Sequence, residues 1–321
     1  MINEIKETPG GFKYIEVSSG DCFKWGGGSV CDLCNDYFNI GYLMPVLNSC
    51  ICKKCFERYK TLAIDEQDKC LQEDISERFF KYHLDLVEKN DVTLLDKLKE
   101  ICEILIQTDI VRDKKFPFIL HHPIITSDTY MINGKLKIVD LDNEESVEEV
   151  RNLFRKVLTK IKDVSTFLTF INKPYLLDFF MFASPFMSRK DFAEFLIASW
   201  TYMEFPNRTD PIANETKVDW FRSISNKEWL MEPEELEAYN KLPDKIRVYR
   251  GVGSHRNINA LSWTTDLEKA KWFASRFGEK DGKVYTTEVN KEDVFAYKLD
   301  RGESEVILDF TTLDNIEEIG G

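Results

Sequence analysis

No run of apolar residues in this chain approaches the roughly 20 needed to span a bilayer as a helix, so no membrane partner is expected. The opening stretch, Met1 to Val17, is polar and acidic and lacks the basic-then-apolar pattern of a secretory signal, which favours a cytoplasmic location and reduced thiols. An excess of basic charge is missing too. The net charge is −13, and nearly all of it sits in residues 61–244. A basic field covering the whole protein is therefore excluded, and any nucleic-acid contact would have to be local. Internal repeats, low-complexity tracts and a long linker are absent, as are a glycine-rich phosphate loop and a Ser/His/Asp arrangement. His121 and His122 precede Pro123 without the cysteine or carboxylate spacing of a metal site, and read as a structural pair.

What is present begins with size and cysteine. With 321 residues, 43% hydrophobic and 31% charged, the chain has the balance of a globular protein of more than one compact unit. Six of its 8 cysteines (Cys22, Cys31, Cys34, Cys50, Cys52 and Cys55) fall in one short stretch, while Cys70 and Cys102 stand alone. Cys31-x-x-Cys34 and Cys52-x-x-Cys55 are two knuckles at a separation that lets four thiolates converge on one tetrahedral Zn2+. Cys50 is the alternative to Cys52, and the spacing favours Cys52. Gly26, Gly27, Gly28 and Gly41 supply turn flexibility near the first knuckle. A closed four-cysteine site is structural, because no coordination position stays open; the expected role is a staple for a unit too small to build its own core. The alternative is a docking or nucleic-acid module, helped by Lys53, Lys54, Arg58 and Lys60 beside Phe56 and Tyr59.

Beyond this unit (residues 1–62) a helical region with a β-hairpin is expected over 63–145, and a further domain over 146–321. The pattern predicts helices at about 66–89 and 92–107, the second carrying Leu94, Leu95, Leu98, Ile101, Ile104 and Leu105 at helical spacing. Asn133-Gly134 between TYMI and KLKIV is a hairpin signal. Ser146-x-x-Glu149 reads as a capping box opening a long helix. Aromatic-rich helices follow at about 174–183 and 188–204, the latter capped by Ser188. Their aromatic faces read as core rather than groove. EPEELEAYNK forms a short helix stopped by Pro243. From there the period changes to two: IRVYRG, ALSWTT, KVYTTEV, VFAYKL and SEVILDF read as strands. One helix interrupts them, with Thr265-x-x-Glu268 as its capping box and Gly278 as its terminator. The fold class is therefore α+β.

Three motifs stand in order on these strands: Val248-Tyr249-Arg250-Gly251, then Leu261-Ser262-Trp263-Thr264-Thr265, then Glu303-Ser304-Glu305-Val306-Ile307-Leu308. They resemble the Arg, Ser-x-Thr and Glu-x-Glu strands of the mono-ADP-ribosyltransferase superfamily. The resemblance covers residues 245–310 by motif and extends to 146–321 if the preceding helices form the family's helical lobe. It implies a C-terminal split β-sheet that binds NAD+ as co-substrate. Cleavage of the nicotinamide–ribose bond passes through an oxocarbenium-like state, whose positive charge a carboxylate beneath the sugar stabilises. The resemblance gives that role to Glu305. Glu303, two residues earlier on the same strand and hence on the same face, would orient or deprotonate the acceptor. Arg250 would hold a cofactor phosphate or ribose. Gly251 would let the backbone approach the nicotinamide amide, and Ser262 would brace the active-site strands through hydrogen bonds to the catalytic Glu. Thr264 would belong with it to the cofactor-binding set, Phe273 or Trp272 would stack on nicotinamide, and Arg276 would contact the pyrophosphate. The interval between Arg250 and Ser262 is shorter than in many toxin members of the superfamily. His255, in that interval, reads as a solvated loop residue.

The expected function is transfer of ADP-ribose to a macromolecular acceptor, protein arginine or a nucleic-acid base, with nicotinamide released. Glu303 favours arginine and the zinc unit leaves the base open. A bacterial or phage toxin or effector role follows from the same resemblance and would imply a neutralising antitoxin or immunity partner. Two other readings stay open: a zinc-ribbon interaction protein with a non-catalytic NAD-binding domain, and an NAD glycohydrolase.

Overall fold

The computed structural model describes residues 4–19, 22, 29–47, 49–64, 93–132, 134–253, 257–276, 281–299 and 302–320. The helix expected over 66–89, Cys70, the Gly26–Gly28 run, Asn133, His255 and Gly278 lie outside the described residues. The chain divides into two compact units, residues 1–204 and 205–321. The division expected at residue 146 therefore lies within the first unit.

The first unit opens with a four-stranded antiparallel sheet in the order β1 (Lys6–Glu7), β2 (Lys13–Ser18), β3 (Ile40–Met44), β4 (Ser49–Cys52), followed by helix α1 (Lys53–Tyr59). Alternation along β2 turns Ile15 and Val17 inward. They join Phe12, Leu43, Met44, Ile51 and Phe56 in one buried cluster. Tyr42 and Phe56 stack there with ring centroids 3.9 Å apart. This region thus builds a core of its own, and its cysteines are part of that core rather than a substitute for one. Gly41 lies inside β3 rather than in a turn. A side chain there would meet Phe38 at 2.4 Å and the Cys50 sulfur at 2.8 Å, so close packing and not flexibility requires the glycine.

Helix α2 (Leu94–Ile106) falls where its period predicts and buries Leu98, Cys102 and Ile106 at i, i+4 and i+8. Two small hairpins follow, β5 (Val111–Arg112) with β6 (Leu120–His121) and β7 (Thr129–Ile132) with β8 (Lys135–Ile138). Helix α3 spans Glu144–Leu158 and is capped by Asn143, whose side-chain Oδ1 accepts from the Glu145 and Ser146 amides. The expected cap, Ser146, instead accepts from the Asp140 amide, and Glu149 is taken by Lys137. Asn143 prevails because it satisfies two of the helix's unpaired N–H groups at once. Helices α4 (Phe167–Phe170), α5 (Leu176–Ala183) and α6 (Arg189–Tyr202) bury Phe167, Phe179, Phe180 and Trp200 as core. Ser188 caps α6 as expected.

His122 is buried at 1% exposure beneath this helical layer. Its Nδ1 accepts from the Ile124 and Ile125 amides, at 3.0 and 2.8 Å, which leaves the ring proton on Nε2. His121, by contrast, is exposed and pairs with Asp113 at 2.8 Å.

The second unit begins with α7 (Asn214–Arg222) and α8 (Pro233–Lys241), which a capping box of Glu232 and Glu235 opens. Its sheet has six strands in the order β12 (Val294–Lys298), β13 (Glu305–Leu308), β10 (Ser262–Thr264), β9 (Lys245–Val252), β11 (Lys283–Asn290), β14 (Glu317–Gly320), and every neighbouring pair is antiparallel. Between β9 and β10 a single pair, Thr264 with Tyr249, is in register, whereas β9 and β11 pair over their full length. The sheet is thus two three-stranded halves joined at one point. Helix α9 (Leu267–Ser275) packs Ala270 and Ala274 on Val284 and Tyr249. Its cap is Asp266, which accepts from the Glu268 and Lys269 amides, one residue later than the expected Thr265. Thr265 faces the Tyr297 hydroxyl instead. Lys298 and Glu235 form an ion pair with both side chains below one-tenth exposed, and the Glu235 carboxylate also accepts from the Glu232 and Leu299 amides. Those extra donors are what make a buried pair tolerable.

Burial, with Arg151 nearby, holds the His122 imidazole down to about 4, well below its ordinary value near 6.5. The native ring stays neutral while the unfolded ring takes up a proton as pH falls through about 6.5, so stability drops from there to about pH 4. Over that window the unfolding free energy of the first unit should fall more steeply in the wild type than in His122→Asn. The expected difference approaches about 1.4 kcal/mol per pH unit, read by denaturant titration at a series of pH values. Parallel profiles would contradict this account.

Candidate functional site

Each cysteine knuckle is shaped by local backbone. The first is the tip of a narrow loop closed by the Val30–Tyr37 bridge; the Cys31 amide donates to Asp36 and Asn35 turns back at φ 59. The second straddles the junction of β4 and α1: Cys52 ends the strand and stands at the N-cap position of the helix, and Cys55 lies in the first turn. The Cys50 amide donates to the Asp32 carboxylate at 2.6 Å and the Asp32 amide to the Cys50 carbonyl, which clamps the two knuckles together.

As a result the sulfurs of Cys31, Cys34, Cys52 and Cys55 all lie within 4.8 Å of one another, with Cys34 and Cys52 3.7 Å apart. Four thiolates at about 2.3 Å from a zinc ion stand roughly 3.8 Å apart, so the donor set and its spacing fit a tetrahedral metal. The cluster could hold a metal ion and is consistent with structural zinc. Burial raises the Cys31 thiol, but the amides of Cys52, Leu33 and Cys34 more than offset it and bring it down to about 7, whereas burial and hydrogen bonds within the cluster push the Cys34 and Cys55 thiols up. Cys22 and Cys50 are not among the four converging ligands.

In the second unit the three sequence motifs come to adjacent strands. Arg250 is on β9, Ser262 and Thr264 on β10, and Glu305 opens β13. Pairing of Thr264 with Glu305 and of Ser262 with Ile307 sets Ser262 diagonally across from Glu305 on the same face. The Ser262 hydroxyl donates to Glu305 Oε1 at 2.5 Å. Arg250 Nη1 donates to the Ser262 carbonyl and Nη2 to the Asn257 carbonyl at 3.3 Å. One guanidinium on β9 therefore holds both the β9–β10 connection, at Asn257, and the first residue of β10.

Glu303 is not on the strand. It precedes β13, and Ser304 between the two glutamates has φ 44, so the alternation that would put both carboxylates on one face does not hold. The segment is fixed by the other strand: Thr264 Oγ1 donates to the Glu303 carbonyl at 2.7 Å and the Thr265 amide to the Ser304 carbonyl at 3.2 Å. The Glu303 side chain is half-exposed. Gly251 is needed for packing of α9, since an added Cβ would lie 1.9 Å from the Ala270 carbonyl oxygen. Phe273 and Trp272 are on α9 in an edge-to-face pair. The Arg276 guanidinium rests over Trp272 at 5.1 Å and Phe205 at 5.9 Å.

Sequence reasoning missed Asn207. Its side chain contacts Ser262 and Leu261 from a turn more than fifty residues away in the chain, a separation no local motif can signal.

Comparison with protein-family models finds no match, and none is found among curated proteins or solved structures. Among the described residues no helix is long and apolar enough to cross a membrane.

Metal analysis of the purified chain is expected to give one zinc per chain at neutral pH, released by a strong chelator and progressively by acid as the thiolates protonate. Cys52→Ser should abolish stoichiometric binding and Cys50→Ser should preserve it. The reverse pattern would contradict the ligand assignment.

Proposed function

We propose that this chain is an NAD+-dependent mono-ADP-ribosyltransferase acting on a macromolecular acceptor, with structural zinc in its N-terminal unit. The observation that carries the reading is the donation from the Ser262 hydroxyl to the Glu305 carboxylate, across two paired strands and beside Arg250 on the next. The resemblance in sequence needs these three residue types brought together in this order.

In this reading the bond between the nicotinamide nitrogen and ribose C1′ breaks, and its electron pair leaves with nicotinamide. Positive charge then builds on the ribose, where the Glu305 carboxylate stabilises it. Ser262 fixes that carboxylate in place before the substrate arrives, so little reorganisation is left for the reactive step. The acceptor nucleophile bonds to C1′ and gives up a proton. Glu303, half-exposed on a backbone that Thr264 holds still, is the base nearest in sequence for that proton. Arg250, held by the carbonyls of Asn257 within the β9–β10 connection and of Ser262 at the start of β10, is the cation for the dinucleotide.

The position of Glu303 bears on transfer against hydrolysis. Its position off the strand favours contact with an outside acceptor, whereas water needs no dedicated group. The toxin or effector role, with a neutralising partner, rests on the sequence resemblance alone.

With labelled NAD+ and cell extract, the wild-type chain should release nicotinamide and label a macromolecule. Nuclease and protease treatments then tell a nucleic-acid acceptor from a protein one. Glu305→Ala should lower nicotinamide release by about 10²–10³-fold, the usual cost of removing one preorganised electrostatic group. Glu303→Ala should keep release and lose the labelled acceptor. Undiminished release by Glu305→Ala would overturn the assignment.

A further inference from the structure

We propose that Asn207 is a positioning residue that fixes the Ser262 hydroxyl as a hydrogen-bond donor to Glu305; this rests on the reading of Glu305 as the catalytic carboxylate. The orientation of the Asn207 amide is set by its surroundings. Its Oδ1 accepts from the Leu261 amide at 2.9 Å and from the Ser262 amide at 3.3 Å. Both are backbone N–H groups and can only donate, so the oxygen must face them. Nδ2 is then the end that reaches Ser262 Oγ, at 2.8 Å. A hydroxyl carries one proton. With a donor already on its oxygen, the Ser262 proton is directed to its other neighbour, Glu305 Oε1, at 2.5 Å.

A serine left to itself rotates among several partners, and a serine accepting from Asn207 does not. The asparagine is itself held. It lies in a turn closed by the Arg208 amide on the Phe205 carbonyl, and the buried ammonium of Lys217 bonds the Arg208 carbonyl. Lys217 also donates to the Asn214 side chain at 3.1 Å, and Asn214 Nδ2 donates to the Asn259 carbonyl at 2.9 Å, two residues before Leu261. Lys217 and Asn214 are each 1% exposed. The buried network thus fixes the turn carrying Asn207 and the residues entering β10 to the same frame. Satisfied polar networks of this kind specify geometry more than they add stability.

Asn207→Asp is the discriminating variant. It keeps the shape and the acceptor for the Leu261 and Ser262 amides, but its carboxylate cannot donate to Ser262, so the hydroxyl turns away from Glu305. Asn207→Ala removes both functions. Two readouts are taken on the full chain: nicotinamide release from NAD+, and the titration of the Glu305 side-chain carboxyl carbon by NMR, assigned with Glu305→Gln. Losing a hydrogen bond to the charged form raises a carboxyl group's midpoint. In both variants we expect the Glu305 midpoint to move to higher pH than in the wild type. Turnover should fall at least tenfold with KM for NAD+ changed less than threefold, and the acid limb of the pH–rate profile should follow the midpoint. An unmoved midpoint in a folded Asn207→Asp protein overturns the inference, whatever the activity. A moved midpoint in a chain whose wild type releases no nicotinamide upholds the positioning of Glu305 and overturns the enzymatic reading.

Discussion

The pairing of β10 with β13 is the constraint on which the second unit turns. Thr264 opposite Glu305 fixes the register, and the contacts of Ser262, Thr264 and Thr265 with the Glu303–Glu305 segment follow from it. The Ser262 hydroxyl meets Glu305 because the two are diagonal neighbours on one face. The Thr264 hydroxyl and Thr265 amide reach the Glu303 and Ser304 carbonyls because the same register carries them past the end of β13. A slip of one residue would turn the Ser262 and Thr264 side chains to the opposite face and undo both contacts. On the outer side of β13, Lys298 stands in register with Glu305 and is held by buried Glu235. The strand bearing the carboxylate is thus flanked on both sides by polar contacts of fixed geometry.

The N-terminal unit follows a different logic. Its sheet and α1 bury aliphatic and aromatic side chains, and Cys31, Cys52 and Cys55 are buried in the same cluster with Cys34 packed against it. Four close thiols gain little from one another, whereas four thiolates around a divalent cation are strongly stabilised. A metal there would lock the loop of the first knuckle against the β4–α1 junction, which otherwise relies on the Asp32–Cys50 clamp. Zinc in this reading sharpens an existing core.

Much of this was legible in the sequence. The strands of the second unit declare themselves by alternation, and the CxxC pair names its own ligands because metal geometry tolerates few spacings. Helix α6 begins after Ser188 as the sequence indicates, because the Ser188 hydroxyl oxygen accepts from the Asp191 amide. The caps of α3 and α9 were misplaced because Asn143 and Asp266 each take two amides, while Ser146 and Thr265 are drawn to other partners. Helix α7 was hidden because buried Asn214 and Lys217 break the apolar stripe that reveals a helix. Strand β14, acidic and at the sheet edge, carries no alternation to read. The face shared by Glu303 and Glu305 was inferred from a period of two that the left-handed Ser304 interrupts. Asn207 was out of reach, since it acts through contacts that only the fold creates.

The central claim is that Glu305 lies beneath the ribose of bound NAD+. A crystal structure of the full chain with a non-cleavable NAD+ analogue tests it most directly. The account predicts the nicotinamide-side ribose within hydrogen-bond distance of the Glu305 carboxylate, with Ser262 still donating to it and Arg250 on the phosphates or the neighbouring ribose. A dinucleotide seated away from the β9, β10 and β13 strands, or a chain that takes up none at saturating concentration, would contradict it.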